Sequence, residues 1–306
     1  MYSNSNRLRG DKVKTTSWII LFVGIVFIAA AIAFFIVLTA GGLLPEGRRG
    51  GLSLGKKVGL IEITGTIIEP TEYVDQITDF GDDSSIQALV VRVESPGGGV
   101  AASQEIYEAL REVRDSGTPV VISMGGIAAS GGYYVACGAD SILANPGTLT
   151  GSIGVIMNFP MAQELLRKVG LEWEVLKTGE FKDTGSFARP MTDRERELLE
   201  EILFDVYDQF VSVVSKERGM TREEVEEIAN GSVYTGRQAL ELGLVDRLGG
   251  LRDAVNLAAE MGGISGKPTV VKPRKDLWTV WDLIEELVGT ASRVANTSAS
   301  LEYSFR

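Results

Sequence analysis

A serine set among small residues, Ser130 in AASGGYY (128–134), stands in a chain of 306 residues that contains no histidine. If this hydroxyl is a nucleophile, its base is not an imidazole. Ser-His-Asp and Cys-His arrangements fall away together with every His-dependent zinc site. What remains for activating the hydroxyl is chiefly a lysine that has lost its proton. Lys182, in TGEFKDTGSFARP, is the candidate; Lys177, five residues earlier, is a second that the residues alone do not separate from it. A free lysine titrates near ~10.4, so a base working at pH ~7 to 8 has to be desolvated, and burial supplies shifts of up to ~3–5 units. The expectation is therefore a buried Lys182.

Acyl transfer also needs donors aimed at the carbonyl oxygen, where negative charge develops. SPGGG (95–99) follows the apolar run ALVVRV and precedes a helical pattern, and AASGGYY follows PVVISM in the same way. Both put glycine amides at the carboxyl end of a strand, where α/β folds bind ligands. Gly98 N–H and Gly131 N–H are the chosen pair. Glycine permits close approach, and a helix starting after Ser130 adds its positive end. Taken alone, SPGGG reads as a tight turn. A phosphate loop is poorly supported, since the GK[ST] that should complete it is missing.

These residues are positioned by a pattern of short buried strands: VGLIEI (58–63), ALVVRV (88–93), PVVISM (119–124) and SILANP (141–146), bounded by Gly, Pro or Asp. Between the second and third, Ile106, Ala109, Leu110 and Val113 form the apolar stripe of a helix that ends near Gly117. Strand, helix, strand at this length predicts an α/β domain with a largely parallel sheet. Thr192 with Glu195, and Thr221 with Glu224, read as capping boxes opening two helices, and a third helix starts near Thr235 and stops at Gly243. Cys137 is the only cysteine and lies in an apolar run, which makes it a packing residue.

The N-terminus belongs to a different environment. Trp18 to Ala40 is 23 residues without a charge, enough to cross a hydrocarbon core of ~30 Å at ~1.5 Å per residue and longer than the apolar region of a cleaved signal peptide. The expected organisation is a cytoplasmic segment 1–17, a transmembrane helix 18–40, a flexible Gly-rich tether 41–57, a catalytic domain 58–260 and a C-terminal extension 261–306. Arg7, Arg9, Lys12 and Lys14 before the span argue for a cytoplasmic N-terminus and an extracytoplasmic domain, against Arg48 and Arg49 after it. Residues 1–57 carry a net charge of +6 and the remainder −17. So acidic a domain is repelled by nucleic acid and by anionic lipid.

SPGGG, AASGGYYVACGAD (128–140), TGSIGV (150–155), GEFKD (179–183) and VYTGRQALELGLVDRLGG (233–250), in this order, resemble the signal peptide peptidase A family. These are membrane-anchored serine proteases of the Clp protease and crotonase fold group. The likeness covers roughly residues 58–260, and Lys182 follows Ser130 by 52 residues, as the family's lysine follows its serine. The resemblance implies Ser130 as nucleophile, Lys182 as general base, Ser152 orienting the lysine amine, and Gly98 and Gly131 as the oxyanion site. One departure is Ser232 in NGSVYTG, where the family often has arginine; the expectation is that this touches only the packing of a distal helix.

The resulting reading is a membrane-anchored endopeptidase that cuts remnant signal peptides and other extended, membrane-associated peptides, needs no metal or organic cofactor, and assembles as a homo-oligomeric ring or dome. Two rival readings stand beside it: a crotonase-like acyl-CoA hydratase or thioesterase, which explains SPGGG but gives the spaced serine and lysine no role, and a non-enzymatic membrane scaffold whose site is vestigial.

Overall fold

A computed structural model of the protein describes residues 56–273 and 302–304. The expected membrane span and all but the last two residues of the expected tether lie outside the described residues; Lys57, counted in the tether, belongs to the first strand. Among those described, no helix is long and apolar enough to cross a membrane.

The expected strands form: β1 (Lys57–Thr64) and β2 (Ile86–Ser95) with longer bounds, β4 (Val120–Ala129) starting one residue later and ending further on, and β5 (Ser141–Ala144) two residues shorter. They pair in parallel, β1 with β2, β2 with β4 and β4 with β5. Burial explains their near-continuous apolar sequence. Leu89, Val91 and Val93 point into one core with Ile61, Ile63, Ile122 and Met124, while the alternate residues Ala88 and Val90 point into a second with Val58, Leu60 and Val121.

Helices cover both faces. On the first lie α1 (Thr71–Asp82), α2 (Val100–Asp115), α3 (Gly131–Ala136) and α5 (Asp193–Arg218); on the second, α8 (Leu251–Met261) seats Ala254, Ala258 and Ala259 on the sheet. Small residues let α8 lie close. Both expected capping boxes are present, Thr192 with Glu195 and Thr221 with Glu224, and Thr235 with Gln238 opens α7 (Gly236–Glu241) in the same way. Helix α2 ends two residues before Gly117, whose φ of 100° turns the chain toward β4.

Strand β4 runs five residues further than PVVISM suggests, because a bulge lets it change partners. Its first half pairs with β5 and its last three residues with β6 (Leu149–Gly151). At the bulge the Glu94 carboxylate accepts Gly126 N–H at 2.8 Å and Ile127 N–H at 3.2 Å. A Cβ on Gly125 would stand 1.7 Å from the Glu94 oxygen, so a side chain there would displace this carboxylate. Beyond β6 the sheet continues through the antiparallel strand β7 (Val233–Thr235). At the far edge β9 (Thr269–Val271), in the stretch expected as a C-terminal extension, adds to β1 in parallel.

Candidate active site

Ser130 sits where β4 ends and α3 begins, 1 % exposed, with φ 55° and ψ −117°. A serine pays for that conformation, since its Cβ crowds the backbone at positive φ. Two contacts hold it: Ser130 N–H donates to Gly151 O at 2.8 Å, and Tyr134 N–H donates to Ser130 O at 2.8 Å. Helix α3 beneath it is buried throughout, Tyr133 donating its hydroxyl to Leu244 O at 2.9 Å and Tyr134 packing edge-on against Tyr107 and Phe210. Gly132 faces Ser95 O, where a Cβ would come within 2.9 Å, so the two glycine segments are in contact as their strand ends predicted.

Ser152 is the only other non-glycine residue at positive φ among the described residues, at 50°. Strand register explains the pairing of the two. Ala128 is partnered with Thr150 and Ala129 with Gly151, and Ser130 N–H donates to Gly151 O, so the two serines follow directly on paired strand ends. Ser152 N–H donates to Ser232 O at 2.7 Å. Ser232 thus lies beside the site, which its carbonyl braces through a backbone group that any side chain there would present.

Gly98 is held by Ile67. Ile67 N–H donates to Gly97 O at 2.9 Å and Gly99 N–H to Ile67 O at 2.7 Å, and a Cβ on Gly98 would fall 2.0 Å from Ile67 O. Gly131 N–H, at the first position of α3, makes no hydrogen bond among the described residues, as the first amides of a helix do not. It is free to receive an oxyanion.

Lys182 is not brought into this cluster by a contact. It is exposed, in a turn where its N–H donates to Gly179 O at 3.3 Å, and its amine makes no hydrogen bond or ion pair among the described residues. The expected burial is thus not supplied by one copy of the chain, for a plain reason. Residues 171–182 are all exposed, and they belong to an arm with little core of its own. Its helix α4 (Gln163–Lys168) buries no side chain.

The structure does separate the two lysines. Lys177 donates to Glu180 O at 2.7 Å and to Asp183 Oδ1 at 2.6 Å, so its ammonium is engaged as a cation. An ammonium tied in this way does not offer the lone pair that a base needs. Sequence reasoning missed the clamp behind it. Arg189 holds Asp183 through two bonds of 2.9 and 2.8 Å and reaches the buried Glu195 through a second fork, one arm of which is 2.9 Å. Glu195 in turn accepts Thr192 N–H at 2.8 Å as part of its capping box. The Arg189 guanidinium, with Lys177 beside it, holds the Asp183 carboxyl well below the usual carboxylate range. Arg189 and the Thr192 amide lower Glu195 to about 2. A capping box foretold Glu195's place but not its second duty.

Cys137 is no competitor as a nucleophile, since burial pushes its thiol up to about 12. No group of His, Cys, Asp or Glu that could hold a metal ion is present among the described residues.

Residues 112–265 match peptidase family S49, and residues 64–146 match the Clp protease family. A Synechocystis protein named "Putative protease slr0021" is 41 % identical over 253 residues, 81 % of this chain and 89 % of that one. The chain belongs to peptidase family S49. "Protease 4" of Haemophilus influenzae is 33 % identical over 71 % of this chain but only 37 % of its own length. "Putative signal peptide peptidase SppA" of Enterococcus faecium is 34 % identical over 66 % of this chain and 62 % of its own. The S49 chain described here therefore spans well under half of the Haemophilus relative. Its kinship with the signal peptide peptidase A group holds, it is a serine endopeptidase, and its mostly parallel α/β sheet is of the Clp protease type.

Proposed function

We propose that this S49 peptidase works by a Ser130–Lys182 dyad, tethered to a membrane by residues 18–40 with its domain outside the cytoplasm, and that it hydrolyses remnant signal peptides and other extended peptides. The observation that carries the reading is the strained Ser130, backed by Ser152 and flanked by glycine amides at two adjoining strand ends. In this scheme Lys182 takes the Ser130 proton as Oγ attacks a peptide carbonyl; the oxyanion is received by Gly98 and Gly131 N–H, and the proton passes to the departing amine. Water, deprotonated by Lys182, then releases the acyl group. Ser152 orients the lysine amine.

Assembly into a homo-oligomer completes the scheme. Met161, Leu165, Leu171, Trp173 and Leu176 are each more than half exposed on the arm that carries Lys182. An apolar surface of this kind marks an interface, and a second copy seated on it would supply the desolvation that a basic Lys182 needs. A serine-directed fluorophosphonate tests the chemistry, because an acyl-CoA enzyme or a vestigial scaffold does not label at Ser130.

A further inference from the structure

Strands β2 and β4 fall out of step where they approach the site. Val93 is partnered with Met124 and Ser95 with Ala128. Between those pairs β2 supplies one residue, Glu94, and β4 supplies three, Gly125, Gly126 and Ile127. Three residues cannot all find ladder partners on one, so their backbone groups need partners from elsewhere. Side chains supply them. The Arg92 guanidinium donates to Met124 O at 2.9 Å, and the Thr148 hydroxyl to Gly125 O at 2.6 Å. The Glu94 carboxylate takes two amides, one on each oxygen: Gly126 N–H on Oε2 and Ile127 N–H on Oε1. Its own carbonyl oxygen accepts Gly65 N–H at 2.9 Å, which ties the end of β1 to the same residue.

Glu94 stands four residues before Gly98, and Gly126 stands four residues before Ser130. One carboxylate therefore joins the strand leading to the oxyanion amide to the strand leading to the nucleophile. Beyond it a single register pair, Ser95 with Ala128, is left before the two segments part. The bulge is also where β4 leaves β5 for β6, whose last residue, Gly151, holds Ser130 N–H. We infer that Glu94 is a positioning residue for the peptidase reaction: by gripping both amides of the bulge it sets how far β4 advances past β2, and so how Ser130 Oγ lies relative to Gly98 N–H. The inference rests on the proposed roles of Ser130 and Gly98. A carboxylate accepts through both oxygens, whereas a carboxamide has one acceptor and turns an NH2 toward the other donor. Glutamine therefore cannot grip both amides. A misplacement of reacting groups by ~1 Å costs about 10²-fold in rate, even when its cause lies away from the chemistry. Glu62 provides the contrast. It is partnered with Arg92 on the neighbouring strand β1, pairs with Lys272 at 2.7 Å on the surface, and holds no bulge.

The test uses the full chain in detergent micelles and an internally quenched peptide of apolar residues as substrate. Glu94→Gln, Glu94→Asp and Glu94→Ala are compared with Glu62→Gln, which removes the same charge from the neighbouring strand. Glu94→Gln should lower kcat by about tenfold and Glu94→Ala by about 10²-fold, with KM within about threefold of wild type. Glu62→Gln should keep the wild-type kcat. Glu94→Asp retains the charge but is one methylene too short to span both amides, and it should not restore the rate. Hydrogen exchange, followed by mass spectrometry on the peptide from Gly125 to Ser130, should run about tenfold faster in Glu94→Gln and stay unchanged in Glu62→Gln. Should Glu94→Ala fail to fold, the glutamine and aspartate variants carry the comparison. Equal kcat in Glu94→Gln and Glu62→Gln, a rise in KM in place of the fall in kcat, full rate with aspartate, or unaltered exchange would each overturn the inference. If exchange responds as expected while a fluorophosphonate fails to label Ser130 in the wild type, the grip on the bulge stands and the peptidase mechanism falls.

Discussion

Strain at two serines is the feature from which the chemistry follows. Ser130 and Ser152 hold positive φ at some cost, and such cost persists only where surrounding structure enforces it. The Gly151 and Ser232 carbonyls do so here. Removing the Ser152 hydroxyl should leave this backbone intact and mis-set the base, so Ser152→Ala should lower kcat by about 10- to 100-fold with KM little changed. A parallel rise in KM would assign Ser152 to substrate binding. The lysines make a sharper pair. Lys182→Ala should reduce kcat/KM by about 10³-fold or more, while Lys177→Ala, which loses an ion pair, should stay within about tenfold of wild type. The reverse result would show that the base is Lys177. At this scale the sequence was informative where chemistry needs a local motif: Ser130, Gly131 and Gly98 stand in short glycine-rich runs. It was silent on the strain at Ser152 and on Ser232 O, because both depend on strands β6 and β7 meeting across 80 residues of chain.

Elements were legible in proportion to how fully they are buried. Strands β1, β2, β4 and β5 announced themselves because both faces are packed, and the helices opened by Thr192, Thr221 and Thr235 because their caps are local. The bulge in β4 was hidden, since Glu94 and Gly125 meet only once two strands are aligned. The arm was hidden for the opposite reason: an exposed segment has no periodicity to read. Its anchor is the Arg189 clamp, and the clamp has a pH signature. Asp183 and Glu195 both titrate lower in the folded chain than in the unfolded one. Their contribution is therefore present above the unfolded carboxylate range of ~4 and is lost as pH falls toward about 2, where Glu195 takes up its proton. Arg189→Ala should melt below wild type at pH 7, and the gap should close between pH ~4.5 and ~2. A gap unchanged at pH 2 would mean that these carboxylates do not supply it.

At the scale of the whole molecule, the exposed apolar arm and the apolar sequence of residues 18–40 each carry a prediction. Covering the first by self-association predicts that light scattering on the detergent-solubilised chain gives a protein mass several times that of one chain, and that Trp173→Glu with Leu176→Glu shifts it toward the monomer and lowers activity with it. A monomeric wild type that is fully active would dissociate assembly from catalysis. The second predicts that protease added to intact spheroplasts reaches the domain; full protection would place it in the cytoplasm.

The proposed mechanism stands on the activation of Ser130 by Lys182. Its most direct measurement is the rate of fluorophosphonate labelling, with the modified residue located by peptide mass spectrometry, in wild type, Ser130→Ala, Lys182→Ala and Lys177→Ala. The mechanism predicts one adduct, on Ser130, formed at a rate that rises with pH, absent in Ser130→Ala, slowed by about 10²-fold or more in Lys182→Ala and little affected in Lys177→Ala. An adduct on another residue, or a Lys182→Ala chain that labels at the wild-type rate, would contradict it.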